Sequence, residues 1–157
     1  MQGTLCLRAT LLGSLLVIVG SGPSRALPAA TPVTPEVVQA AEREGAVNFY
    51  TSVDVEVAEK VKKAFEAKYP RIKVVVERNG AQRQFQRLSQ EYASRIFNAD
   101  VVNSADAAHF VVWKRQGWLA AFVPEDVARH YAPEHVDPDG RFATWKEIGR
   151  ASCRERV

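Results

Sequence analysis

Along this chain, short apolar stretches alternate with longer segments in which apolar residues return every three or four positions. Thr34 offers a hydroxyl cap to a helix whose first residue is Pro35, and Glu36 sits favourably near the positive helix end. Gly45 closes that helix, because glycine takes the left-handed cap conformation at little cost. Residues 46–51 then form a β-rich stretch. Residues 55–69 predict a helix with Val57, Val61, Ala64, Phe65 and Tyr69 on one face, ended by Pro70. Residues 72–77 read as the next strand, and the run Val74, Val75, Val76 predicts that it is covered on both faces. Asn79 and Gly80 make a turn, and 82–96 is helical with Phe85, Leu88, Tyr92 and Ile96 aligned. Residues 99–102 give a third short strand, and 107–116 a helix stopped by Gly117. The apolar residues 118–122 pack on the sheet or extend it, and Asp-Pro-Asp-Gly at 137–140 is a strong turn signal.

Strands alternating with helices of this length imply an α/β fold, a mainly parallel sheet with helices on both faces. Ligands in such folds collect outside the carboxyl ends of the strands. The loops to watch are therefore 50–54, 78–81 and 103–106.

The two ends of the chain follow different rules. Arg8 precedes an apolar run over 9–19, which falls short of the ~20 residues needed to cross a bilayer. Gly20, Gly22 and Pro23 break it, and Ser24 and Ala26 provide the small residues of a cleavage site. Residues 1–26 thus read as a secretory signal peptide, and 27–35, with Pro28, Pro32 and Pro35, as a linker. At the other end, Ile-Gly-Arg-Ala-Ser-Cys-Arg-Glu-Arg-Val (148–157) matches, residue for residue, the in-frame translation of a common sequencing adapter. Residues 146–157 are expected to be a non-native tail, and 36–145 an incomplete amino-terminal lobe.

Charge and cysteine content narrow the chemistry further. The net charge of +3 comes from Lys and Arg scattered among Asp and Glu, without the basic face that nucleic acid requires. Cys6 and Cys153 fall in the two end segments, so the domain between them holds no disulfide framework, zinc cluster or thiol nucleophile. There is no nucleophile elbow, phosphate-binding Gly-rich loop or His-Glu-Xaa-Xaa-His motif. His130 and His135 lack ligand spacing and read as solvated loop residues. His109, beside Phe110, reads as a surface or partly packed residue. Trp113, Trp118 and Trp145 read as core or lobe-edge packing.

What remains is polar loop chemistry at the strand ends. Ser52, Asn79, Ser104 and Asp106 offer hydroxyl, amide and carboxylate groups, and the helix starts beside them offer backbone amides. Such a set binds a small polar or anionic solute without transforming it. The same residue types also cap helices, and both readings stand at this point.

Five segments occur in order: Glu-Gly-Ala-Val-Asn-Phe-Tyr-Thr-Ser-Val-Asp (44–54), Ala-Phe-Glu-Ala-Lys-Tyr-Pro-Arg-Ile-Lys-Val (64–74), Ala-Asp-Val-Val (99–102), Gly-Trp-Leu-Ala (117–120) and Asp-Pro-Asp-Gly (137–140). Together they make the stretch 40–145 resemble the first part of extracellular solute-binding proteins, family 1, near the ferric-iron-binding branch. The resemblance implies the first lobe of a type II periplasmic binding protein, a monomer that closes two lobes on a small solute and serves the membrane permease of an ATP-driven importer. It implies no cofactor and no enzyme activity. It puts Thr51, Ser52, Asp54, Arg78, Asn79, Gly80, Ser104 and Asp106 along the first lobe's side of the cleft, with Ser52 and Ser104 donating hydrogen bonds and Arg78 pairing with an anion. Arg78 reads equally well as a solvated strand end. Iron-binding relatives often carry His where Asp54 stands, and some carry Glu where Ala105 stands. Asp54 and Asp106 could coordinate a hard cation, but two acids in separate loops are weak evidence for one, so an unspecified small solute is preferred to iron. The alternative reading is a secreted α/β enzyme with catalytic residues beyond Trp145.

The cleavage signal predicts that the exported chain begins near Leu27. Amino-terminal sequencing of secreted material should find that start, and an intact Met1 there would overturn it.

Overall fold

The computed structural model describes residues 29–145; the expected signal peptide (1–26) and the expected non-native tail (146–157) lie outside the described residues. In chain order the elements are α1 (Pro35–Glu44), β1 (Ala46–Thr51), α2 (Val55–Lys68), β2 (Lys73–Arg78), α3 (Ala81–Ala93), β3 (Val101–Asn103), α4 (Ala107–Arg115) and α5 (Glu125–His130), then a 3-10 turn at Pro133–His135. The fold is α/β. Its three-stranded sheet has the order β2-β1-β3, and both pairings are parallel. Thr51 at the end of β1 stands opposite Arg78 on one side and Asn103 on the other. Because every strand runs the same way, all three carboxyl ends meet at one edge of the sheet.

Local signals explain the first elements closely. The Thr34 hydroxyl accepts from the Val37 amide at 3.4 Å, and Gly45 closes α1 at φ +76°. Gly117 at φ +72° ends the α4 segment in the same left-handed conformation. The turn at 137–140 forms as expected, its Gly140 amide donating to the Asp137 carbonyl at 2.9 Å.

Alternation along β1 divides the core in two. Tyr50 points to the face covered by α3 and α4, where it clusters with Leu88 and Trp113, and Phe85, Phe110, Trp118 and Leu119 pack around them. Phe49 and Val74 are buried on the other side, where α2 lies against β2.

Three expectations need correction, and the two outcomes open for 118–122 reduce to one. The valine run is not covered on both faces: Val74 is buried, but Val75 is 46% exposed, because β2 is an edge strand that α3 covers only partly. In α2 the contact is made by Ala58, fully buried, while Val57 and Phe65 stay exposed; the methyl side chain lets the helix approach the sheet closely. Helix α3 stops at Ala93, and Arg95 turns the chain at φ +57°, so Ile96 leaves the apolar stripe and is exposed. Residues 118–122 add no strand: Trp118 and Leu119 join the core, with Trp118 stacked on Tyr92 at 4.3 Å. Helix α5 had no sequence signal strong enough to predict it.

An ion-pair lock fixes the carboxyl-terminal stretch to the core. Lys114 Nζ lies 2.6 Å from both Asp137 Oδ1 and Asp139 Oδ2, while Asp137 Oδ2 accepts from the Asp139 and Arg141 amides. The hydrogen bond to Asp137, then that to Asp139, raises the Lys114 ammonium above the usual lysine range. The bond to Lys114 lowers the Asp139 carboxyl below its usual range. A raised lysine stabilises the fold below its unfolded pKa, and that contribution is lost as pH rises through the folded value. A lowered carboxylate stabilises above its unfolded pKa and loses that as pH falls through the folded value. The lock therefore holds between the two. Amide exchange at Gly140 and Arg141, corrected for intrinsic rates, should be slow near neutrality and faster at both extremes, with Lys114→Met fast throughout. Equal protection in Lys114→Met would show that the pair does not hold the turn.

Candidate functional site

The loops after β1, β2 and β3 are bound to one another before any solute is considered. The Ser52 amide donates to the Asn103 carbonyl at 3.2 Å, and the Ala105 amide donates to Ser52 Oγ at 2.8 Å. The Asn79 amide reaches the Thr51 carbonyl at 3.0 Å, and Arg78 Nε donates to the Val53 carbonyl at 3.2 Å. The eight residues thus lie on the ends of β1 and β2 and on the three loops that share one edge of the sheet.

Beneath that edge sits Gln84, on the first turn of α3 and without exposed surface. Its Nε2 donates to the Asn103 carbonyl at 2.9 Å and to the Tyr50 carbonyl at 3.3 Å, tying α3 to the ends of β3 and β1 together. A second tie runs along the same helix. The Tyr50 hydroxyl donates to Glu91 Oε1 at 3.0 Å, Arg87 bridges Glu91 and Glu77 at 2.9 and 2.8 Å, and its guanidinium lies 4.8 Å from the Tyr50 ring. Burial, and then the bond to Glu91, raises the Tyr50 phenol above its usual range, so it stays a neutral donor.

The candidate residues differ in what they have left to offer. Thr51 is fully buried: its hydroxyl donates to Asn103 Oδ1 at 3.1 Å and accepts from the Val53 amide at 3.2 Å. It braces the loop and presents nothing outward. Ser52 accepts from Ala105 and keeps its hydroxyl proton. Asp54 and Arg78 are exposed, and Arg78 uses one of its five donors within the chain. Gly80 has open space where a side chain would begin. Ser104 accepts from the Asp106 amide at 3.2 Å and lies 2.9 Å from His109 Nδ1. Asp106 caps α4 through Oδ1, which accepts from the Ala108 amide at 2.9 Å.

The four longer helices divide by their caps. Thr34 and Asp106 cap α1 and α4 with side-chain oxygens, whereas α2 and α3 begin at Asp54 and Gly80 without a side-chain cap. The amides of 55–57 and 81–83 therefore have no acceptor among the described residues. Both helices start at the carboxyl edge, next to Arg78. Amide donors, two positive helix ends and a guanidinium suit a negatively charged or polar group, against which the exposed Asp54 carboxylate at the α2 start counts as a like charge.

Three residues outside the sequence-derived set organise this edge: Gln84, Asn103 and His109. Gln84 was hidden by its type, since an amide inside an amphipathic helix ordinarily faces water. His109 is buried rather than at the surface, stacked on Phe85 at 4.6 Å. His130 is exposed as expected, with Nδ1 3.0 Å from the Asp126 carbonyl. Among the described residues no group of three or more His, Cys, Asp or Glu stands close enough to hold a metal ion. A surface hollow of about 450 Å³ lined by Gln39, Glu42, Arg43 and Arg71 lies near the amino ends of β1 and β2, away from these loops.

No protein-family model matches the chain, and no curated protein matches it. Eleven chains among solved structures do. One is iron-bound HitA from Pseudomonas aeruginosa, with a TM-score of 0.53 and 24% identity, over 60% of this chain and 30% of that one. This chain thus spans about a third of HitA's length, and the likeness is one of fold.

Replacing Gln84 with Met keeps the volume and removes both donors from buried carbonyls, at a cost of about 1–3 kcal/mol. Urea unfolding of Gln84→Met should show that loss with an unchanged slope. A variant as stable as the parent would mean that Gln84 is not the clamp.

Proposed function

We propose that this chain is the amino-terminal lobe of an exported solute-binding protein, capturing a small polar or anionic solute at the carboxyl edge of β1–β3. The observation that carries the reading is the pair of uncapped helix starts, α2 and α3, beside Arg78. In this reading residues 1–26 direct export to the periplasm, 27–35 link, 36–145 form the lobe and 146–157 are foreign to it. The monomeric protein closes a second lobe over the solute and hands it to the permease of an ATP-driven importer, without catalysis. The fold shared with HitA, whose structure holds iron, supports a binding role. Ferric iron is the alternative cargo.

One open wall binds weakly. Three or four water-competing hydrogen bonds at ~1 kcal/mol each correspond to a Kd of roughly 1–6 mM. Amide spectra of the chain titrated with inorganic phosphate should shift at 55–57 and 81–83 with an affinity of that order. Shifts clustered instead around Arg71 would overturn the site. A parallel titration with ferric citrate that moved Asp54 and Asp106, where phosphate and citrate alone moved nothing, would favour the metal cargo.

A further inference from the structure

The family resemblance implies a Ser104 that donates to solute, but its surroundings point to the opposite polarity. Its Oγ has one proton and two lone pairs. One lone pair takes the Asp106 amide at 3.2 Å, and the next neighbour is His109 Nδ1 at 2.9 Å. Whether Ser104 donates to or accepts from that nitrogen depends on which ring nitrogen holds the proton.

For a neutral ring, the far side favours one tautomer. Nε2 faces Asp106 Oδ2 at 3.6 Å, and a carboxylate oxygen has lone pairs only. A neutral ring protonated on Nδ1 would turn the Nε2 lone pair against that oxygen. Protonation on Nε2 points a positive N–H at it instead and leaves Nδ1 as an acceptor. The ring cannot turn freely to relieve the conflict, because it is 7% exposed and packed against both Phe85 and Trp113, with centroids 4.6 and 5.7 Å away.

We propose that His109 is a positioning residue that commits the Ser104 proton inward, so that the loop 103–106 presents acceptors and selects solutes carrying a hydrogen-bond donor alongside an anionic group. The inference rests on the solute site proposed above. Of this loop's side chains, Ser104 through its second lone pair and the half-exposed Asp106 carboxylate are then the acceptors left for an ammonium, amine or hydroxyl. The anionic end falls to Arg78 and the amides at the starts of α2 and α3. The same acceptor polarity disfavours an ion such as phosphate from approaching loop 103–106.

Two measurements on the full 157-residue chain test this. Nitrogen-15 spectra of the histidine rings, assigned with His109→Asn, should show His109 protonated on Nε2 with Nδ1 as acceptor. A proton on Nδ1, or on both nitrogens at neutral pH, overturns the proposal. Binding is then compared for inorganic phosphate and O-phosphoethanolamine, which adds an ammonium donor. The parent should prefer phosphoethanolamine by about tenfold, the value of one charge-assisted hydrogen bond. His109→Phe keeps the ring stack but releases the Ser104 proton, so phosphate binding should strengthen and the preference shrink. Ser104→Ala should shrink it by weakening phosphoethanolamine instead. His109→Asn, whose amide oxygen can stand in for Nδ1, should retain it. An undiminished preference in a folded His109→Phe also overturns the proposal. If neither probe moves the amides at 55–57 and 81–83, the solute site itself fails, while the ring spectrum still decides whether His109 holds Ser104.

Discussion

Parallel strands deliver their carboxyl ends to one edge without fastening the loops that leave them, and here that fastening comes from a buried amide. Gln84 has no exposed surface, and its single nitrogen donates to carbonyls of two different strands. A buried donor left unpaired is costly, so the helix bearing Gln84 has little freedom to slide relative to β1 and β3. Thr51 and Asn103 complete the brace on the strand side. The position of every loop on this edge follows from that arrangement.

The remaining forces divide between the two faces of the sheet. On the α3 face, apolar burial of Leu88 and Trp113 is combined with a charged net in which Arg87 serves Glu77, Glu91 and the Tyr50 ring together. Glu91 is the more sheltered of the two carboxylates, so its pair with Arg87 is screened less than an ordinary surface pair. On the α2 face a single alanine sets the distance between helix and strand, and larger apolar residues are left to solvent. The carboxyl-terminal stretch is held differently again, by Lys114 and two aspartates.

Polarity at the candidate site follows from which groups this internal bracing has already used. Thr51 and one oxygen of Asp106 are spent inside the chain, while Ser52, Arg78 and two helix starts keep unused donors. Donors from Ser52, Arg78 and the two helix starts stand around the first two loops together with the exposed Asp54 carboxylate, and Asp106 adds a carboxylate to the third. An edge carrying both is suited to a solute with two unlike ends.

The sequence by itself determined the elements whose causes are local. Thr34, Pro35 and Gly45 bound α1, Pro70 and Gly117 stop later helices, and the alternating periods imply a parallel α/β sheet with its loops on one edge. Local geometry acts through residues a few positions apart, so it can be read from their order. The burial of Gln84 and His109 and the exposure of Val75 were decided by tertiary structure. Each depends on a partner far along the chain or on a strand falling at the sheet's edge. The donor or acceptor character of Ser104 belongs with them: the serine is visible in the sequence, but its proton is directed by a ring whose orientation only packing fixes.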